Sequence, residues 1–404
     1  MSFDKVKRYS LDFFLIVWFF TILNSANGSI GIFIIPVTIF YLVVRTVSTF
    51  KNMDSVSYAL FLIGLIYLIK GLFEFTQLDN YNIEEVIDLL TFYTLFLLIG
   101  FLYISSKHLS IHRIRRAVLG VIIVLFFDGL IEFLLGYSIL RGENRDNIRV
   151  HSIFLENHYG SYMFFLYVLF SVLNHKVGQL RYMDLIVGCL VIVATVMAVS
   201  RLPFLLTVTL LSIQVTKILF SKEKGKLSVV LYVIFICVIS IWLAFSWLDY
   251  GEYSDLLYNY LSLDNINREQ STRRYSIWLT SLCLIGNNPL LGINQLEFTS
   301  AAQNLCAVNE MLVHPHSVFL EFLLYSGILL FILVYFFIGG LVYVRSKAYG
   351  LVLYFYTIPI IGPGSTSNAS WMMILAISIA LLISSSKRIQ IKSKFININK
   401  KEAL

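Results

Sequence analysis

The sequence predicts an all-α polytopic membrane protein of about 12 transmembrane helices, with one large, partly helical extracytoplasmic loop before the tenth. Three observations carry this reading: the composition, the length of the apolar stretches and the placement of the basic residues. Of 404 residues, 58% are apolar and 14% charged, with mean hydropathy +0.79. A soluble domain has roughly 45 to 50% apolar and about 25% charged residues, so most of this chain is solvated by lipid. The 33 Phe and 24 Tyr beside only 6 Pro exclude a disordered or collagenous chain. The net charge of +7 is not read as a nucleic-acid signal, because in a membrane protein the side that carries the charge matters more than its sum.

Crossing a hydrocarbon core takes about 20 apolar residues. The candidate spans are 10–26, 29–47, 57–76, 86–105, 117–138, 159–175, 183–200, 203–220, 228–247, 317–342, 350–364 and 369–386. The first follows Lys5, Lys7 and Arg8 as a signal peptide would. A second apolar stretch follows at once, however, and the pair reads as a helical hairpin. The chain is one integral membrane domain, 1–404, with the loop 248–316 inside it. With the N-terminus placed in the cytoplasm, 23 of the 31 Lys and Arg fall on cytoplasmic segments, including Arg345 and Lys347 and six in the tail. Both termini are then cytoplasmic, as the positive-inside rule requires. Lys70 lies within the third span, and the basic residues left outside are all arginine: Arg141, Arg145, Arg149, Arg201, Arg268, Arg273 and Arg274.

Arginine presents a planar fork of donors suited to phosphate or carboxylate. An anionic ligand on the outer face is therefore expected. Arg141 and Arg145 are the exceptions, expected to pair with Glu143 and Asp146 in a solvated loop. Asp128 and Glu132 lie one helical turn apart on the fifth span, as do Lys70 and Glu74 on the third. Intramembrane charges are costly and usually pair, so an ion-pair cluster joining these two helices is expected, with a proton relay as the functional alternative. Four cysteines without a CxxC give no zinc or redox framework. Cys283 and Cys306 share the outer loop and are open between a bridge and free thiols.

About 70 residues separate Trp247 from Ser317, far more than an ordinary connection. Ser254 to Leu263 has the spacing of a surface helix, and Tyr275 to Gly286 that of a short interfacial or re-entrant helix capped by Ser271 or Thr272. Arg273 and Arg274 precede it, which suits either an anion site at a helix N-terminus or anchoring to lipid head groups. His314-Pro315-His316 ends the loop. It is open between metal binding, an interfacial pair and proton transfer by one imidazole.

Four pieces in this order resemble the O-antigen ligase and polysaccharide polymerase family. They are Arg149, Ser152, Phe154, Asn157 and Gly160 in RVHSIFLENHYG, then Ser200 and Arg201 in VSRLPFLL. Arg274, Trp278, Pro289 and Gly292 follow in RRYSIWLTSLCLIGNNPLLG, and His316 stands with a Gly eleven residues later, Gly327, in HPHSVFLEFLLYSGILL. Ser317 stands where the family usually has Asn, and Pro315 precedes the His.

The resemblance implies a membrane glycosyltransferase that uses a sugar chain on undecaprenyl diphosphate, at the outer face of a bacterial cytoplasmic membrane. It implies that Arg149, Arg201 and Arg274, supported by Arg273, hold the diphosphate. His316 would act on the acceptor hydroxyl beside Arg274, with His314, Asn157 and Trp278 supporting. No metal and no cofactor are expected, and the partners are the lipid-linked oligosaccharide, the bilayer and a chain-length regulator. The expected activity is a polymerase serving O-antigen, capsule or exopolysaccharide. A ligase that passes the glycan to lipid A core or another terminal acceptor shares all of these residues. A transporter or flippase of lipid-linked sugar would instead rest on Lys70, Asp128 and Glu132.

Overall fold

The computed structural model describes residues 53–76, 93–94, 96–104, 111–144, 150–152, 159–177, 181–198, 200–219, 269–294, 297–306, 315, 317–360 and 369–384. The first, second and ninth expected spans, and the expected helix at 254–263, lie outside them. Nine helices and one small hairpin have both ends among these residues, and residues 96–104, within the fourth expected span, are helical as well. The nine helices and the hairpin are α1 (Ser55–Phe75), α2 (Ile111–Leu135), β1 (Tyr137–Ser138), β2 (Glu143–Asn144), α3 (Tyr159–Val177), α4 (Arg181–Met197), α5 (Arg201–Leu219), α6 (Glu269–Asn287), α7 (Phe298–Cys306), α8 (Val318–Ile360) and α9 (Ala369–Ile383). Among the described residues three helical stretches, Ser55–Phe75, Ile111–Leu135 and Phe319–Arg345, are long and apolar enough to cross a membrane. The architecture is consistent with a polytopic all-α membrane protein.

The exposed side chains support this solvent assignment. Leu62, Ile69 and Phe73 on α1 are more than half exposed, a stripe that suits hydrocarbon and would be a liability in water. Asp54 caps α1 by accepting from the Ser57 amide at 2.9 Å and from the Tyr103 hydroxyl at 2.9 Å. At the centre of the bundle lies α3, packed by α2, α4, α5 and α9. It is buried on every side from Tyr159 to Asn174, as an apolar helix with no polar face must be.

The spans expected at 317–342 and 350–364 lie on one helix, α8, of 43 residues, with no turn between them. Arg345 and Lys347 therefore lie on a helix and not in a turn. Their charge signals a membrane boundary, but no proline interrupts 317–358, and both residues are good helix formers. At 1.5 Å per residue α8 is about 65 Å long, roughly twice a hydrocarbon core.

Two corrections concern charge. Lys70 pairs with Glu74 on its own helix at 2.6 Å and does not join Asp128 and Glu132. The i,i+4 spacing puts that pair on one face, and the Tyr93 hydroxyl donates to the other Glu74 oxygen at 2.6 Å. Arg141 does not remain in a solvated loop. The β1–β2 hairpin pairs Tyr137 with Asn144, and the Arg141 side chain, 6% exposed, reaches Glu132 at 3.7 Å and the Asn144 carbonyl at 3.2 Å.

Candidate active site

The site is built from two assemblies of backbone, each uniting stretches that are far apart in sequence. The first gathers one end each of α2, α3, α4 and α5. Val150, the residue after Arg149, donates its amide to the Met197 carbonyl at the end of α4, 3.3 Å away. The chain then turns through Ser200, whose carbonyl accepts from the Phe204 amide at 3.1 Å and so opens α5. Arg201 is the first residue of that helix, and Pro203 sits in its first turn, where a missing amide costs nothing. Gly160, in the first turn of α3, faces Ser200. A Cβ there would lie 2.5 Å from the Ser200 hydroxyl and 2.6 Å from its Cβ. The pieces around Arg149 and Arg201 thus meet, and they meet at Gly160, itself one of the motif residues.

Beneath this meeting point lies a buried carboxylate pair. Glu132 is fully buried, and Asp128, one turn earlier, is 4% exposed. Glu132 accepts from the amides of both His151 and Ser152, with His151 at 3.2 and 3.3 Å from its two oxygens. Asp128 accepts from the Ser152 hydroxyl, from the Ser138 hydroxyl at 2.9 Å and from the Leu140 amide at 2.9 Å. Ser152 has φ +51°, the one positive value at a non-glycine residue among the described residues. Such a conformation costs of order 1 kcal/mol or more and persists where the surroundings dictate it. Here three hydrogen bonds to buried acids do so.

The second assembly joins the 289–293 segment to α8. The Ile293 amide donates to the Leu324 carbonyl at 3.0 Å, and the Ile328 amide donates to the Pro289 carbonyl at 2.8 Å. In an unbroken helix the Ile328 amide would bond to Leu324. Both groups are instead redirected to the 289–293 turn, so the α8 ladder opens at Gly327 while its polar groups stay paired, as backbone at membrane depth must. Gly292 and Gly327 have φ of +73° and +75°. A Cβ on Gly292 would lie 2.2 Å from the Leu324 carbonyl oxygen, and one on Gly327 2.0 Å from that of Leu290. Only glycine fits at either place, which is the physical content of two of the motif glycines.

The same loop is covalently closed by a disulfide between Cys283 on α6 and Cys306 on α7, with Cα atoms 6.2 Å apart. This settles the question left open by the sequence. The helix α7, of nine residues, was not expected; its alternation of small and polar residues falls below any span signal. Helix α6 begins at Glu269, earlier than the expected Tyr275. Ser271 and Thr272 therefore lie inside its first turn and do not cap it. Arg273 and Arg274 follow one turn in, where the end charge of the helix has largely decayed. Trp278 lies on the exposed face of α6, 43% accessible, while Ile277, Thr280 and Ser281 face inward.

Of the expected site residues, the backbones of Arg201, Arg273 and Arg274 and the whole of Trp278 are thus placed. Arg149, Asn157, His314 and His316, and the side chains of Arg201, Arg273 and Arg274, lie outside the described residues. Glu132, the buried residue that grips the 151–152 backbone, belongs to no motif. The intramembrane acid was visible in sequence, but not what it holds.

Residues 186–335 match the family model described as O-antigen ligase. The matched region runs from α4 into α8 and includes Arg201, Arg273, Arg274, Trp278, Gly292, His314, His316 and Gly327, but not Arg149 or Asn157. No curated protein matches the chain. Over residues 186–335, therefore, this chain is similar to the O-antigen ligases, consistent with an O-antigen ligase or polymerase family.

Proposed function

We propose that the protein is a membrane polysaccharide polymerase, moving a growing glycan from undecaprenyl diphosphate to the terminal sugar of another lipid-linked repeat unit on the outer face of a bacterial cytoplasmic membrane. The observation that carries this reading is the meeting of the Val150, Gly160 and Ser200 segments, which brings two arginine-bearing stretches to one end of the bundle. The disulfide supports the outer placement of the loop, because such bonds persist in oxidising compartments and are rare in a reducing cytosol.

In this mechanism the diphosphate lies against Arg149, Arg201 and Arg274, with Arg273 supporting, and the polyprenyl chain stays in the bilayer. The acceptor hydroxyl oxygen bonds to the anomeric carbon as the bond from that carbon to the diphosphate oxygen breaks. Negative charge grows on the departing diphosphate, where the guanidinium groups lower the barrier. His316 takes the hydroxyl proton, with His314, Asn157 and Trp278 shaping the acceptor side. Undecaprenyl diphosphate leaves, and the chain is longer by one repeat.

A ligase passing the glycan to lipid A core is the second reading, favoured by the description of the matching family. Purified protein in vesicles, given lipid-linked repeat units with or without lipid A core, separates the two. A ladder of lengthened products from repeat units alone supports the polymerase. Transfer only when core is present contradicts it and establishes the ligase.

A further inference from the structure

The carboxylates of α2 have no part in the mechanism above, yet they are buried and fully engaged. Glu132 holds the amides of His151 and Ser152, and Arg141 stands 3.7 Å from it. Asp128 holds the Ser152 hydroxyl and, through Ser138 and Leu140, the hairpin on the other side. A carboxylate buried this deeply stays only where its hydrogen bonds compensate its lost hydration. These bonds go to the 138–140 and 151–152 segments, those of Glu132 to backbone amides, and not to a neighbouring span. The gripped residues stand two and three positions after Arg149, and Val150 between them and the arginine is tied to Met197, four residues before Arg201.

We infer that Glu132 is a positioning residue for transfer: its carboxylate fixes the 150–152 backbone and thereby sets where Arg149 meets the diphosphate. This inference rests on the reading of Arg149 given above. The left-handed conformation of Ser152 belongs to the same device. It turns the His151 and Ser152 amides toward one carboxylate, as successive amides in a nest converge on an anion. The anion bound is the protein's own, and what it anchors is the segment that carries the arginine. A misplacement of about 1 Å at a reacting centre can cost a hundredfold in rate, so a moderate loss is expected when the grip is loosened without being abolished.

The test is a double-mutant cycle on the full-length protein in vesicles, with lipid-diphosphate-linked repeat units as substrate and thermal unfolding as the control for folding. Glu132→Gln keeps the shape but replaces one acceptor oxygen with a donor facing an amide. It is expected to slow transfer about tenfold and to raise the donor KM, with the unfolding temperature little changed. In an Arg149→Lys background the same change is expected to cost less than about twofold, because the arginine it positions is gone. Glu132→Asp, which keeps the charge on a shorter stem, is expected to fall between Gln and wild type, and it replaces Gln in the cycle if the latter does not accumulate folded.

A full tenfold loss in both backgrounds, or wild-type transfer by Glu132→Gln, overturns the inference while leaving the role of Arg149 standing. Wild-type transfer by both Arg149→Lys and Arg149→Ala overturns the reading of Arg149 itself, and the inference with it.

Discussion

Glu74 on α1 and Glu132 on α2 are the same residue in closely similar settings. Each lies near the end of an apolar helix long enough to span, each is almost wholly buried, and each has a cation nearby. Their partners differ in kind. Glu74 is satisfied by Lys70 one turn away and by the Tyr93 hydroxyl; the Tyr93 ring lies 6.2 Å from that of Tyr67, whose hydroxyl shares a hydrogen bond of 2.7 Å with Ser326. Those contacts hold helices together. Glu132 spends its oxygens on the amides of a loop that leads from one motif arginine toward another. The difference teaches that a charge inside a membrane protein is interpreted by what it holds: side chains of the bundle in one case, the backbone of a candidate site in the other.

The largest effects belong to the proposed ligand residues. Arg201→Ala, Arg274→Ala and His316→Ala should each lower transfer by at least about a hundredfold, as loss of a transition-state donor does. The contrast is broken if Glu74→Gln, in a folded protein, costs as much.

Next come the two interlocked glycines. Gly327→Ala forces a Cβ to 2.0 Å from the Leu290 carbonyl oxygen at a φ of +75°. It should destabilise the purified protein by about 3 kcal/mol, read as a lowered unfolding midpoint, and Gly292→Ala should behave alike. A stability equal to wild type would show that the α8 ladder is not interrupted there.

Removing the disulfide should come third. Cys283→Ser closes no loop and should cost about 2 kcal/mol, with reductant producing the same downward shift in wild type and no further shift in the variant. Smallest of all, Tyr93→Phe removes one of the bonds to Glu74 and should cost about 1 kcal/mol of stability with the transfer rate unchanged. A rate loss without a stability loss would move Glu74 into the same class as Glu132.

Much of this fold is legible in the sequence, for reasons that also mark where legibility ends. Apolar length alone finds α1, α3, α4 and α5 within a few residues, because the helix axis and the bilayer impose a length that composition reports. The same rule misplaces the start of α6, where the polar Glu269 to Thr272 turn is helical without being apolar. It also divides α8, where Arg345 and Lys347 mark a boundary of charge but not of backbone. Partners across the bundle are a different matter. Lys70 fits Asp128 by depth as well as it fits Glu74 by spacing, and only the packed helices decide. The motifs pointed to Gly292 and Gly327, yet their reason, two carbonyls that approach a missing Cβ, exists only when 289–293 and 324–328 lie together. Arg141 reads as one more external arginine until the hairpin folds it onto Glu132.

The central claim is that arginines from separate stretches converge beyond the bilayer. It is tested by cross-linking Arg201→Cys with Arg274→Cys in intact cells, using a short bifunctional thiol reagent that cannot cross the membrane, in a protein whose Cys237 is replaced by Ser; of the other native cysteines, Cys283 and Cys306 are bonded and Cys189 is buried. Converging arginines give an intramolecular cross-link in the double variant and in neither single variant. Absence of the cross-link, or its formation only after the membrane is permeabilised, would contradict the claim.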